Sequence, residues 1–315
     1  MTTATVGGSA PGSTPRTSLL ARARVVGSDI KLAHSVFAMP FAVLGAVLAR
    51  PAGEPAGVTC AKVALVVVCM VLARTWAMLV NRIADRGFDA ANARTARRAL
   101  ASGRLGVRDA RAFAFGCAVC FVFAAGLFWL FFANPWPMAL SVPVLAWIAF
   151  YSFTKRFTAL CHIFLGGALG ASPLAAAIAM HPQALTGTPA LWWLAGMVVL
   201  WVGGFDVIYA LQDVEFDRRT GLHSIPARLG PERAIWVSRA LHAAAAGCLV
   251  MAARSDQRFG VLFACGVGVV GVLLVTEHVV LARRGRAGLE MAFFTLNGIV
   301  SCVLGAAGVL DILAR

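Results

Sequence analysis

Two acidic clusters hold the residues of this chain whose types and spacing suit catalysis. In the first, Asn81, Asp85 and Asp89 recur every fourth residue at the exit of an apolar stretch. On a helix this spacing stacks the side chains along one face. Carboxylates one turn apart repel by roughly a few tenths of a kcal/mol unless a cation lies between them. The second cluster, Asp206, Tyr209, Gln212, Asp213 and Asp217, again follows an apolar stretch and again sets two acids four apart. Acidic pairs with this spacing suit Mg²⁺, which takes one or two carboxylates, waters and substrate phosphates.

The surroundings of both clusters suit an anion. Arg94, Arg97 and Arg98 follow the first, and Arg218 and Arg219 follow the second. Guanidiniums fork onto phosphate oxygens, so acids and arginines together describe a site for a metal and a phosphorylated molecule. Arg74 lies seven residues before Asn81, two turns deeper on the same face of an otherwise apolar span. An unpaired arginine there costs about 2.5 kcal/mol or more, so it should face a polar cavity or bind an anion. Asp206 is similarly deeper than Asp213, and Tyr209 offers a hydroxyl or a ring face to a cation. Lys155 and Arg156, after Tyr151 at the end of a further span, suit phosphate or serve topology. Lys31 and His34 are weaker candidates, and His162, His181, His242 and His278 read as structural.

The elements that must position these residues are membrane helices. The 315 residues are 60% hydrophobic and 13% charged, where soluble domains carry about a quarter charged residues. Apolar spans of about 20 residues, enough for ~30 Å of hydrocarbon, are expected at 32–49, 63–80, 112–133, 137–153, 161–180, 191–211, 235–253, 259–282 and 291–313. Nine helices around a central cavity are the expected architecture, all-α and polytopic. The turn at Asn134–Pro137 is the least firm boundary and suits a re-entrant bend. The two acid pairs stand at equal intervals after even-numbered spans, which suggests two four-helix halves and a ninth helix. Residues 1–24, rich in Gly, Ser, Thr and Pro without an apolar core, read as a disordered tail before a single domain over 25–315.

The net charge of +14 raises nucleic acid as a partner, but its placement argues against it. Twenty-two of the 28 Lys and Arg fall in the tail and in alternate connections. That is the positive-inside pattern, and it puts the amino terminus and both acidic clusters on the cytoplasmic side. A bacterial inner membrane is the expected setting. The eight cysteines lie mostly within or beside spans and read as small packing residues.

At these residues the chain resembles the UbiA superfamily of intramembrane aromatic prenyltransferases. The motif N-x-x-x-D-x-x-x-D is met by Asn81, Asp85 and Asp89, and its trailing N-x-R-T-x-x-R by Asn92, Arg94, Thr95 and Arg98. The second motif is met by Asp206, Tyr209, Ala210, Asp213 and Asp217, and a Tyr-x-x-x-Lys-Arg element by Tyr151, Lys155 and Arg156. Arg74 matches the branch that acts on 4-hydroxybenzoate. Ala93 and Ala99 stand where proline is usual, and His223 where 4-hydroxybenzoate enzymes tend to have lysine. The Gly221-to-Ala227 stretch looks more like a subgroup associated with futalosine-type menaquinone synthesis.

The resemblance implies that Asp85, Asp89, Asp213 and Asp217, with Asn81, bind Mg²⁺ gripping a polyprenyl diphosphate. Asp206 and Tyr209 join them as catalytic candidates. Arg94, Arg98, Lys155, Arg156, Gln212 and Arg218 are expected to bind substrate with Tyr151, and Arg74 to hold the carboxylate of an aromatic acid acceptor. The expected reaction is prenylation of 4-hydroxybenzoate in quinone synthesis, with a naphthoate or futalosine-derived acceptor as the alternative. An organic-anion transporter is a third reading, disfavoured because both clusters lie at helix ends instead of the midplane.

Overall fold

The computed structural model describes Val25, Gly27 and residues 37–289 and 291–314. The tail expected over residues 1–24, and Lys31 and His34, lie outside the described residues. Helices form throughout, with no strand among the described residues. In chain order they are α1 Met39–Leu48, α2 Ala56–Ala84, α3 Arg86–Ala91, α4 Val107–Phe132, α5 Trp136–Thr154, α6 Cys161–Met180 and α7 Pro189–Ala210. Beyond these lie α8 Val214–Thr220, α9 Ile225–Leu229, α10 Pro231–Ser255, α11 Val261–Arg284 and α12 Asn297–Leu313. Eight described helices are long and apolar enough to cross a membrane, and α1 is a ninth apolar helix with 10 described residues. The chain is an integral membrane protein.

The helix α7 is the axis of the bundle. Fourteen of its 22 residues are buried, against six of 29 in α2. A helix that is apolar all round finds partners on every side or faces lipid; α7 does the first and α2 largely the second. Trp201 at the centre of α7 is fully buried, edge-on to Phe41 and Phe205 at ring-centroid distances of 5.6 and 5.2 Å. Its indole N–H donates to Asn297 Oδ1 at 2.6 Å, which satisfies the one polar atom of a large buried ring.

Lipid gives helices no hydrophobic reason to associate, so close approach depends on small residues at the crossings. A Cβ at Gly166 of α6 would overlap the carbonyl of Val199 in α7, and one at Gly170 would overlap the Val199 side chain. Gly45 of α1 likewise meets the backbone of Pro173, and Gly305 of α12 meets Pro40. Gly166→Val is therefore expected to push α6 off α7 and cost about 1–3 kcal/mol, the usual size for overpacking. Thermal unfolding in detergent checks this, with Gly187→Ala as the control because open space surrounds Gly187.

The Asn134–Pro137 segment is a tight turn between two spanning helices. Ala133 adopts a left-handed conformation with φ of 53°. Asn134 donates from Nδ2 to the carbonyls of Ile178 (2.8 Å) and Ala179 (3.1 Å), tying the turn to the end of α6. The described cysteines are all free, Cys117 and Cys120 included.

Candidate active site

Both acidic motifs straddle a helix break. In the first motif α2 stops at Ala84, Asp85 sits between α2 and α3, and Asp89 belongs to α3. Backbone bonds from Asp85 N to Asn81 O (2.9 Å) and from Asp89 N to Asp85 O (2.7 Å) keep the four-residue repeat running through the break. In the second motif α7 ends at Ala210, a 3₁₀ turn covers Leu211–Asp213, and α8 carries Asp217. The 3₁₀ turn is the difference from the single stripe expected, since tightening the helix there rotates every residue beyond it. Gly221, at φ of 71°, closes α8 and turns the chain back so that Ser224 Oγ donates to Asp217 Oδ2 at 2.8 Å.

The breaks surround a polar cavity of about 280 Å³. Five carboxylates line it, and four of them, Asp85, Asp89, Asp213 and Asp217, each meet a lysine or an arginine. Arg156 Nη2 lies 2.9 Å from Asp85 Oδ1, Arg98 Nη1 2.6 Å from Asp89 Oδ1, and Lys155 Nζ 2.8 Å from Asp217 Oδ1. Arg94 grips Asp213 with two nitrogens, Nε to Oδ1 at 3.0 Å and Nη2 to Oδ2 at 2.5 Å, the paired geometry that arginine favours. Asn92 adds a third hydrogen bond to Asp213 at 3.0 Å. Adjacent residues thus brace opposite motifs: Lys155 holds the second and Arg156 the first. Burial draws the Lys155 ammonium down, but the Asp217 carboxylate outweighs it and keeps the pKa above the ordinary lysine value. Burial raises the Asp85 carboxyl despite Arg156.

Deeper in the cavity lie Asp206, Tyr209, Tyr151 and Arg74. Tyr209 OH accepts from Arg94 Nη1 at 3.0 Å, and that guanidinium stands 5.3 Å from the centre of its ring. Arg74 and Tyr151 also line a second cavity of about 280 Å³, walled by α2, α4, α5 and α6 with almost wholly apolar side chains. The two therefore mark the junction between a charged chamber and an apolar one. Arg74 Nε is buried and makes no hydrogen bond among the described residues, an arrangement that leaves a donor for an anion.

Two expected residues are not brought in. Gln212 donates to the Tyr209 carbonyl at 3.3 Å and Arg218 to the Ala227 carbonyl at 2.9 Å, and neither lines the polar cavity. Both lie within the 3₁₀ turn or beyond it, so the helical register that would point them inward is lost. Among the cavity residues that the sequence reading passes over is a histidine. His162, which reads as structural from sequence, contacts Asp206. Its sequence signal is its place at the start of the span that comes after Lys155 and Arg156.

The donor set fits magnesium. Among the described residues no three His, Cys, Asp or Glu groups converge on one point, so the site is not a protein-only cage. Two separate carboxylate pairs, each beside basic side chains, match an ion that completes its octahedron with water and substrate oxygens.

The profile of the UbiA prenyltransferase family matches residues 38–299, which contain every one of these groups. The chain belongs to the UbiA prenyltransferase family. Among its relatives, the 4-hydroxybenzoate octaprenyltransferase of Shewanella piezotolerans is 32% identical over 235 residues, 73% of this chain and 77% of that one. The enzyme of the same name from Nitrosospira multiformis is 32% identical over 249 residues, 78% and 81% of the two chains. The apo structure of a UbiA homologue from Aeropyrum pernix K1 superposes with a TM-score of 0.78 at 31% identity, covering 90% of this chain and 99% of that one. A UbiA homologue from Archaeoglobus fulgidus bound to GPP and Mg²⁺ shares the fold at a TM-score of 0.63 and 17% identity, over 92% and 99% of the chains. As a UbiA-family member the protein is a prenyltransferase.

Proposed function

We propose that this UbiA-family protein transfers a polyprenyl group from polyprenyl diphosphate to 4-hydroxybenzoate, in a Mg²⁺-dependent step of quinone synthesis. The observation that carries the reading is Arg74, with its unpartnered buried Nε at the junction of the charged and apolar cavities. A carboxylated ring held there has the diphosphate chamber on one side and the isoprenoid chamber on the other. The names of the relatives support this substrate pair, and so does the GPP and Mg²⁺ bound by the A. fulgidus homologue.

Asp85 and Asp89 with Asn81, and Asp213 with Asp217, would hold the metal. The chemistry the ion would supply there is neutralisation of the charge that builds on the departing diphosphate. Arg94, Arg98, Lys155 and Arg156 bind the same phosphates and stabilise the leaving group as the allylic C–O bond breaks. Tyr209 presents its ring near the resulting cation. The apolar cavity excludes water that would otherwise capture that cation, and its walls of α2, α4, α5 and α6 direct the tail toward lipid. The positive-inside pattern of the basic loops supports a cytoplasmic chamber in a bacterial inner membrane, and in this reading residues 25–315 form one catalytic domain.

A second reading, a naphthoate or futalosine-derived acceptor, rests on the Gly221–Ala227 segment. Its Ile225 N–H bonds to His162, which in turn contacts Asp206 in the cavity. Membranes containing the protein should release diphosphate from geranyl diphosphate and form a prenylated product when 4-hydroxybenzoate and magnesium are supplied. Product with a naphthoate carboxylate but none with 4-hydroxybenzoate would move the assignment to the second reading.

A further inference from the structure

The charged and apolar chambers meet at a neck, and three side chains form it. Among the described residues only Arg74, Tyr151 and Leu169 line both chambers. Each comes from a different helix, α2, α5 and α6, and each stands where its helix passes from one chamber to the other. On α2, Met70 lines the apolar chamber and Asn81 the charged one. On α6, Leu165 lines the charged chamber and Ser172 the apolar one. The proposed acceptor explains two of the three neck residues. Arg74 would meet its carboxylate, and Tyr151 would present an aromatic side chain to its ring. Leu169 is left over.

Leu169 is a bulky residue at the edge of a wall of small ones. Beyond it on α6, Ala171, Ser172, Ala175 and Ala176 line the apolar chamber. The helix that carries it cannot yield toward α7. A Cβ on Gly170, the next residue, would stand 2.5 Å from Val199 Cγ2 and 2.8 Å from the Ala195 carbonyl oxygen. Gly166, one turn earlier, meets the Val199 carbonyl in the same way. With the two helices already in contact, α6 has no room to move toward α7 and widen the neck. The isobutyl group of Leu169 therefore sets the width on this side.

We propose that Leu169 selects the acceptor by size, admitting a single aromatic ring to the neck and rejecting a fused pair. The inference rests on the Arg74-held acceptor proposed above and adds the residue that chooses it. A carboxylate fixed at Arg74 removes the ring's freedom to slide along the neck. A second fused ring then has to occupy space that the neighbouring side chains leave open. A hydrophobic wall discriminates by bulk alone, and each methylene there is worth about 10- to 200-fold in kcat/KM. Leu169 is the apolar member of the neck, so that selection falls to it.

The test is a competition between 4-hydroxybenzoate and 4-hydroxy-1-naphthoate, which keeps the carboxylate and hydroxyl in the same relation and adds one fused ring. The full chain in membranes receives both acceptors with geranyl diphosphate and magnesium, and the two prenylated products are quantified. The donor is common to both, so any effect of a substitution on the isoprenoid tail cancels from the product ratio. The unaltered protein should favour the single ring. Leu169→Ala removes most of the bulk that the second ring adds and should shift the ratio toward the naphthoate about 10- to 100-fold. Leu169→Val, one methylene shorter than leucine, should fall between. General loosening of the fold lowers both products alike and leaves the ratio in place. An unmoved ratio in both variants would overturn the proposal while prenylation of 4-hydroxybenzoate by the unaltered protein stands. Equal use of the two acceptors by the unaltered protein would also overturn it, with the carboxylate reading intact. If the unaltered protein prenylates neither acceptor, the parent reading falls and this one with it.

Discussion

Asp213→Ala is expected to lower magnesium-dependent prenyl transfer about 100- to 1,000-fold, the scale seen when one group stabilising developing charge is removed. Two effects act together. The second acid pair is left with Asp217 alone, whose oxygens already meet Lys155 and Ser224. Arg94, which Asp213 holds through Nε and Nη2, also loses its anchor and with it the orientation that sets its Nη1 on Tyr209. The fold should survive, because Asp213 lies on a 3₁₀ turn beside the cavity and not in the Trp201 core. Turnover at graded magnesium, with thermal unfolding as the control for folding, measures this. Retained magnesium-dependent activity at near the original rate would remove Asp213 from the metal site. Asp85→Ala should behave alike, but less steeply, because Asn81 would remain to hold the proposed metal.

Arg74→Ala is expected to raise KM for 4-hydroxybenzoate about 10- to 100-fold, the worth of a charge-assisted hydrogen bond in a buried site. KM for the prenyl diphosphate should change little, since Arg94, Arg98, Lys155 and Arg156 surround the polar chamber while Arg74 lies at its inner end. Steady-state kinetics with each substrate varied in turn separates the two. Equal rises in both would mean that Arg74 binds phosphate or supports the chamber wall. Arg74→Lys should recover only part of the loss, because an ammonium cannot reproduce the guanidinium fork.

Most of the site is legible in the sequence because its residues obey local rules. Asn81, Asp85 and Asp89 keep a four-residue spacing that even a helix break does not disturb, since the i to i+4 backbone bonds continue across Asp85. Arg74 stands out because an arginine in an apolar span needs a reason. Gln212 and Arg218 are misplaced by the same rule: their spacing assumes one unbroken helix, and the 3₁₀ turn at Leu211–Asp213 breaks it. His162 is invisible for a different reason. Its partners, Asp206 and Ile225, are 44 and 63 residues away in the chain, and no periodicity links residues brought together by helix crossing. Span lengths give the fold in outline. Hydropathy does not reveal that α7 is the axis: α2, α4 and α11 are at least as apolar, and only packing separates a helix buried among others from one bathed in lipid.

The four acid–base pairs around the polar cavity have a thermodynamic consequence. If the two ligands bind as proposed, a magnesium ion arriving alone would have to pull a carboxylate away from a guanidinium or ammonium, and a diphosphate arriving alone would meet cations whose charge is already matched. Arriving together, the two can exchange partners, the ion taking the carboxylates and the phosphates taking Arg94, Arg98, Lys155 and Arg156. Each ligand then strengthens the other, and by linkage the factor is the same in both directions. On the function proposed above, charge neutrality in the protein would thereby become a requirement for both ligands before either is held firmly.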